Sequence, residues 1–140
     1  MKAFLDTSVL VAAFYADHEH HTPSFELFLR YEKSQVSCSA HSLAEIYSSL
    51  TGMPGKDRVT GDEAMLFLGN IRERLTLISL DEDEQFRAIE ASAAHVSGGG
   101  IYDALIGHCA LKAKARFLYT WNLKDFKRLG AAISERVKTP

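Results

Sequence analysis

Lys2-Ala3-Phe4-Leu5-Asp6-Thr7-Ser8-Val9-Leu10-Val11-Ala12-Ala13 changes character at its one acid. Lys2 to Leu5 reads as a short buried strand. Val9 to Ala16 reads as a helix, with Asp6, Thr7 or Ser8 available to cap it. A strand that passes through a polar turn into a helix opens a β–α–β unit, and the chain repeats that pattern. Gln35 to Cys38, Leu75 to Leu80 and Phe117 to Thr120 read as further strands, and the tail from Ala131 to Val137 adds a possible edge strand. Between them lie helical segments. One has Pro23 in its first turn and runs to about Lys33. Others cover Leu43 to Leu50, Asp62 to Arg74 and Asp81 to about Val96, the last with Phe86 and Ile89 inward. Two more follow: one carrying Tyr102, Leu105, Ile106 and Cys109 on an apolar stripe, and a short one from Asn122 to Leu129. Short strands alternating with helices imply an α/β fold, a three-layer α/β/α sandwich around a central parallel sheet. The 140 residues suit one domain spanning 1–140.

Composition narrows the function classes. The formal net charge of −2 argues against a protein that coats nucleic acid through bulk charge, but leaves room for an enzyme that grips it locally. Charged residues interrupt every hydrophobic stretch, so no membrane span is expected, and the N-terminus lacks an apolar leader core. A cytoplasmic protein is the expectation. Cys38 and Cys109 lie in apolar contexts without a metal-type spacing and read as buried thiols.

The chemistry sits in three acids wrapped in apolar sequence: Asp6, Glu45 in Ser42-Leu43-Ala44-Glu45-Ile46-Tyr47, and Asp103 in Ile101-Tyr102-Asp103-Ala104-Leu105-Ile106. Each has an ordinary explanation. Asp6 can cap a helix, Ser42 and Glu45 have capping-box spacing, and Asp103 suits a first helical turn. In a parallel α/β sheet, however, ligands bind outside the carboxyl ends of the strands, and there the three acids are expected to meet. Converging carboxylates repel, and a hard cation relieves that repulsion. Oxygen ligands without a His/Cys set select Mg²⁺ or Mn²⁺ over zinc. Such an ion lowers the pKa of a bound water and stabilises charge on a phosphate. Phe117-Leu118-Tyr119-Thr120-Trp121-Asn122-Leu123-Lys124-Asp125-Phe126 adds Thr120 beside the site, Asn122 as a neutral oxygen ligand or a helix cap, and Asp125 as an outer acid or an early-turn charge.

These four segments, in this order, resemble the PIN-domain ribonucleases, and most closely the VapC-type toxins of prokaryotic toxin–antitoxin pairs. The resemblance implies that Asp6, Glu45 and Asp103 are the acidic metal positions and that Thr120 is the hydroxyl next to them. Asn122 stands where many members carry a fourth Asp, so a second metal is expected to bind more weakly. It further implies a Mg²⁺/Mn²⁺-dependent endoribonuclease that leaves a 5′-phosphate, a homodimer, and a cognate antitoxin protein. The amide at Asn122 keeps open a second reading, a catalytically weak or inactive module that binds RNA or protein. A phosphohydrolase using Asp6 as nucleophile ranks last, because Ser8 stands where such enzymes place a second Asp.

Other segments carry less. Asp17-His18-Glu19-His20-His21 has ligand residue types but no i, i+4 His pair with a third ligand, and reads as a solvated turn. Gly98-Gly99-Gly100 lacks a phosphate-loop spacing and reads as a mobile loop before Asp103. Lys56, Arg58 and Lys124 are the candidate nucleic-acid contacts; Lys112, Lys114, Arg116, Lys127 and Arg128 are charged helix ends that could also meet phosphates. Trp121 reads as a core anchor or as a stacking surface for an unpaired base.

Overall fold

The computed structural model describes residues 1–140. Five parallel strands form one sheet: β1 (Ala3–Leu5), β2 (Val36–Ser39), β3 (Thr76–Ile78), β4 (Phe117–Tyr119) and β5 (Val137–Lys138). Their order is β3-β2-β1-β4-β5, so the chain builds outward from β1 to one edge and then returns to pair β4 against its other side. The switch in strand order therefore lies between β1 and β4, where Ala3, Phe4 and Leu5 face Phe117, Leu118 and Tyr119. This is the three-layer α/β/α fold read from the sequence.

Alternation along the strands divides the core into two layers. Ala3, Leu5, Val36, Cys38 and Tyr119 pack on one face beneath α1 (Thr7–Phe14), α2 (His21–Arg30), α3 (His41–Thr51) and α4 (Gly61–Arg74). Phe4, Leu118 and Val137 pack on the other, beneath α6 (Gly100–Lys112), α7 (Leu123–Lys127) and α8 (Ala131–Ser134). Helix α5 (Glu82–Ser92) lies against α6. The α6–α8 contact is tight at Gly107, where a Cβ would stand 2.7 Å from Ile133 Cδ1.

Several local expectations are corrected. Ala131 to Ser134 is helical, and only Val137–Lys138 pairs as the edge strand. A short Ala-Ala-Ile-Ser run has no period that separates helix from strand, and Gly130, at φ 93°, supplies the turn that starts the helix. Helix α2 begins at His21 with Pro23 in its first turn, as read, but ends at Arg30, short of Lys33. Helix α5 stops at Ser92 and turns Ala88 and Ser92 inward, leaving Phe86 and Ile89 69% and 43% exposed. Tyr102 is likewise exposed and does not join the buried stripe of α6. Both cysteines are free and buried, as read.

Candidate metal centre

Asp6 follows β1 directly and is almost fully buried. It caps α1 as expected, through a 3.4 Å bond from the Ser8 amide to Oδ2, but capping does not exhaust the carboxylate. The same Oδ2 accepts hydrogen bonds from Ser8 Oγ at 2.7 Å and Thr120 Oγ1 at 2.8 Å. Thr120, fully buried at the end of β4, in turn accepts from the Asn122 amide at 2.9 Å. Ser8 Oγ accepts from the Trp121 amide at 3.0 Å. Burial pushes the Asp6 carboxyl above its usual range, and the Ser8 and Thr120 bonds oppose that. All three of these bonds go to Oδ2.

Glu45 is carried by the second turn of α3. It is not part of a capping box: Ala40 occupies the cap position without a side-chain bond, and Ser42 is the second residue of the helix and buried. Instead, Thr7 Oγ1 lies 2.9 Å from Ser42 Oγ and 3.2 Å from Glu45 Oε1, which ties the start of α1 to α3 and fixes the Glu45 carboxylate. Asp103 lies in the first turn of α6. Its carboxyl is pushed up to about 6, first by burial and then by the charges of Asp6, Asp125 and Glu45, with Arg128 opposing.

Asp6, Glu45, Asp103 and Asn122 line one open cleft of about 430 Å³, together with Thr7, Ser8 and Ser49. Asn122 occupies the cap position of α7 but makes no side-chain cap bond, so its amide stays available to the cleft. Asp125 is not among the cleft residues; it pairs with Arg128 at 2.6 Å. Lys56 and Arg58 lie exposed in and beside a 3₁₀ turn at 55–57, where Arg58 donates to the Met53 carbonyl, and Lys124 is exposed on α7. None of the three lines the cleft.

The segment read as a solvated turn forms one wall of this cleft. His18, Glu19 and His20 line it, and the His20 ring stacks on Trp121 with centroids 3.7 Å apart and planes 8° from parallel. Trp121 donates from Nε1 to buried Ser24 Oγ at 2.8 Å. Trp121 is thus both the core anchor and a cleft residue. The supporting roles of Thr7, Ser42 and His20 have no signal in local sequence, because each partner lies far along the chain; Ser8 bonds Asp6 locally but meets Thr120 from a distance as well.

The donor chemistry fits a hard divalent cation. The ligand atoms are all oxygens, and the charges of Asp6 and Glu45 raise the proton affinity of Asp103 across the cleft. The side chains do not close into a preformed cluster of three His, Cys, Asp or Glu ligands, so an ion would draw them inward.

A family model described as the PIN domain matches residues 3–132. The chain belongs to the PIN-domain family. Among similar proteins, Ribonuclease VapC40 of Mycobacterium tuberculosis is 36% identical to this PIN domain over 114 residues, covering 81% of each chain. Solved structures share the fold at lower identity. VapC20 of Mycobacterium tuberculosis, described as a sarcin–ricin loop-cleaving toxin, superposes with a TM-score of 0.72 at 20% identity, covering 89% of this chain and 92% of its own. VapBC2 from Rickettsia felis, bound to a DNA fragment from its promoter, gives 0.69 at 21% identity, covering 99% and 98%.

Proposed function

We propose that this chain, acting as one PIN domain over residues 1–140, is a Mg²⁺- or Mn²⁺-dependent endoribonuclease and the toxin of a toxin–antitoxin pair. The observation that carries the reading is the convergence of Asp6, Glu45, Asp103 and Asn122 on one cleft, with Asp6 and Glu45 each fixed by hydroxyl groups. Kinship with a protein named as a ribonuclease supplies the substrate class.

Asp6, Glu45 and Asp103 would hold the cation, with Asn122 as a weaker neutral ligand. Bound there, such an ion neutralises charge on a phosphate and lowers the pKa of its water. Ser8 and Thr120 keep Asp6 in one rotamer, and Thr7 does the same for Glu45, so both carboxylates present fixed oxygens to the cleft. The His20–Trp121 stack lines the same cleft and would bound the path of the strand. Hydrolysis adds water across a backbone P–O bond, leaving a 5′-phosphate on one product and a 3′-hydroxyl on the other.

The amide at Asn122 favours a second reading, an RNA- or protein-binding module with weak or no turnover. RNA cleavage with Mg²⁺, with Mn²⁺, with EDTA, and by Asp6→Asn and Glu45→Gln decides between them. Metal-dependent cleavage lost in both variants supports the nuclease; cleavage that survives chelation and substitution refutes it. A stable RNA complex without turnover across both metal titrations supports the binding module. A cognate antitoxin, a homodimer and a cytoplasmic location follow from the toxin reading. No helix is long and apolar enough to cross a membrane.

A further inference from the structure

The acidic cleft has an aromatic wall, and Trp121 anchors it. Its indole Nε1 donates to Ser24 Oγ at 2.8 Å, and its backbone amide donates to Ser8 Oγ at 3.0 Å. Ser8 Oγ in turn donates to Asp6 Oδ2 at 2.7 Å, so one hydroxyl sets both the Trp121 backbone and the Asp6 carboxylate. The His20 ring lies flat on Trp121, with centroids 3.7 Å apart and planes 8° from parallel.

His20 is fixed from its own side as well. It occupies the cap position of α2, and its carbonyl accepts from the Ser24 amide at 3.3 Å. Ser24 therefore grips both partners, the His20 backbone through its amide and the Trp121 indole through its hydroxyl. The His20 amide donates to His18 Nδ1 at 3.0 Å, and Glu19 Oε1 meets the ring edge, 3.4 Å from Nε2. The His18 ring stands 5.7 Å away, tilted by 41° and not stacked. Trp121 thus covers one face of the imidazole, and no ring is stacked on the other. The His20 side chain is 36% exposed and lines the same cleft as Asp6, Glu45 and Asp103.

A flat, partly open ring held rigid beside acids that would hold a phosphate through a cation suits one kind of ligand. Single-stranded nucleic acid is gripped by stacking its bases on aromatic rings, because every base has a π face. A ring already locked by packing and hydrogen bonds loses little freedom when a base settles on it. We infer that the outer face of His20, backed by Trp121, is the platform on which one base of an RNA strand stacks while a neighbouring phosphate sits at Asp6, Glu45 and Asp103. The inference rests on the nuclease reading for the RNA and for the place of its phosphate. The stacking surface expected at Trp121 thereby passes to His20, because the indole packs against the core and carries the imidazole.

The test compares two fluorescein-labelled RNA 8-mers by anisotropy in Mg²⁺, on the Glu45→Gln protein, in which cleavage is expected to be lost. One is oligouridine. The other is oligo-5,6-dihydrouridine, whose puckered rings keep the hydrogen-bonding edge but lose the planar π face. The Glu45→Gln protein should bind oligouridine about fivefold to a hundredfold more tightly, the worth of one stacked base. Adding His20→Ala should bring that ratio close to one, whereas adding His20→Phe, planar but without ring nitrogens, should keep it. Circular dichroism checks that each variant is folded. A ratio near one before His20 is changed, or a ratio that survives His20→Ala, overturns the platform. A ratio lost in His20→Ala and His20→Phe alike overturns it in favour of a hydrogen bond from the imidazole. Tighter oligouridine binding by His20→Ala also overturns it, and makes the ring a cover that a base must displace from Trp121. RNA cleavage by the protein with Glu45 intact is measured in parallel. Its absence alongside the expected contrast removes the nuclease reading and leaves His20 as the platform of an RNA-binding module; cleavage without the contrast removes the platform alone.

Discussion

Asp103→Asn should stabilise the metal-free protein. Asp103 stands half-buried at the start of α6, and its carboxyl is raised from 3.8 to about 6 by burial and by the charges of Asp6, Asp125 and Glu45. A carboxyl whose folded pKa exceeds its unfolded value binds more protons in the folded state, so stability falls as pH rises through that window and stays low above it. The gap corresponds to about 3 kcal/mol at about 1.36 kcal/mol per pH unit. Solvent screening of a half-exposed group reduces this to about 1 kcal/mol. For a chain of this length that is a rise in Tm of about 3–4 °C at pH 7.5. Urea and thermal unfolding are followed by circular dichroism in EDTA at pH 7.5 and again near pH 4. The gain should be present at pH 7.5, shrink near pH 4, and shrink again when Mg²⁺ is added to the protein with Asp103 intact. An Asn variant less stable than its parent at pH 7.5 in EDTA would refute the electrostatic account of the site.

Thr120→Val removes a donor to the buried Asp6 carboxylate and an acceptor for the Asn122 amide; it should cost about 1–3 kcal/mol in urea unfolding. Gly107→Ala places a Cβ against Ile133 and should cost about 1–3 kcal/mol by pushing α8 off α6, read as a lower denaturation midpoint. His20→Ala removes the ring stacked on the only tryptophan, so the emission of Trp121 should change in the folded state, with a stability loss of about 0.5–1.5 kcal/mol.

The strands β1 and β4 were legible because each is a short apolar run ended by a polar residue, whereas β2, Val36-Ser37-Cys38-Ser39, alternates apolar with polar. The acids could be named for the same reason: Asp6, Glu45 and Asp103 each interrupt apolar sequence. What local sequence could not carry was the hydroxyl scaffold. Thr7 meets Ser42 and Glu45, and Ser8 meets Thr120, across spans of 35 to 112 residues, and no spacing rule reaches that far. The histidine turn was misread for the same cause, since its ordering partner Trp121 lies a hundred residues on. Glu45 shows the opposite error. A capping-box spacing was present in sequence, yet the helix starts earlier and Ser42 turns inward toward Thr7.

The strand order carries a consequence for synthesis. The centre draws on residues 6, 45, 103 and 120, and β4 can pair with β1 only after more than a hundred residues have been made. Loop closure over that distance is slow, and it must precede the Thr120 bond that fixes Asp6. A nascent or half-translated chain therefore displays its acids on separate pieces with no common cleft. The centre proposed for a cation would therefore assemble only once the sheet is complete, late in the making of the chain.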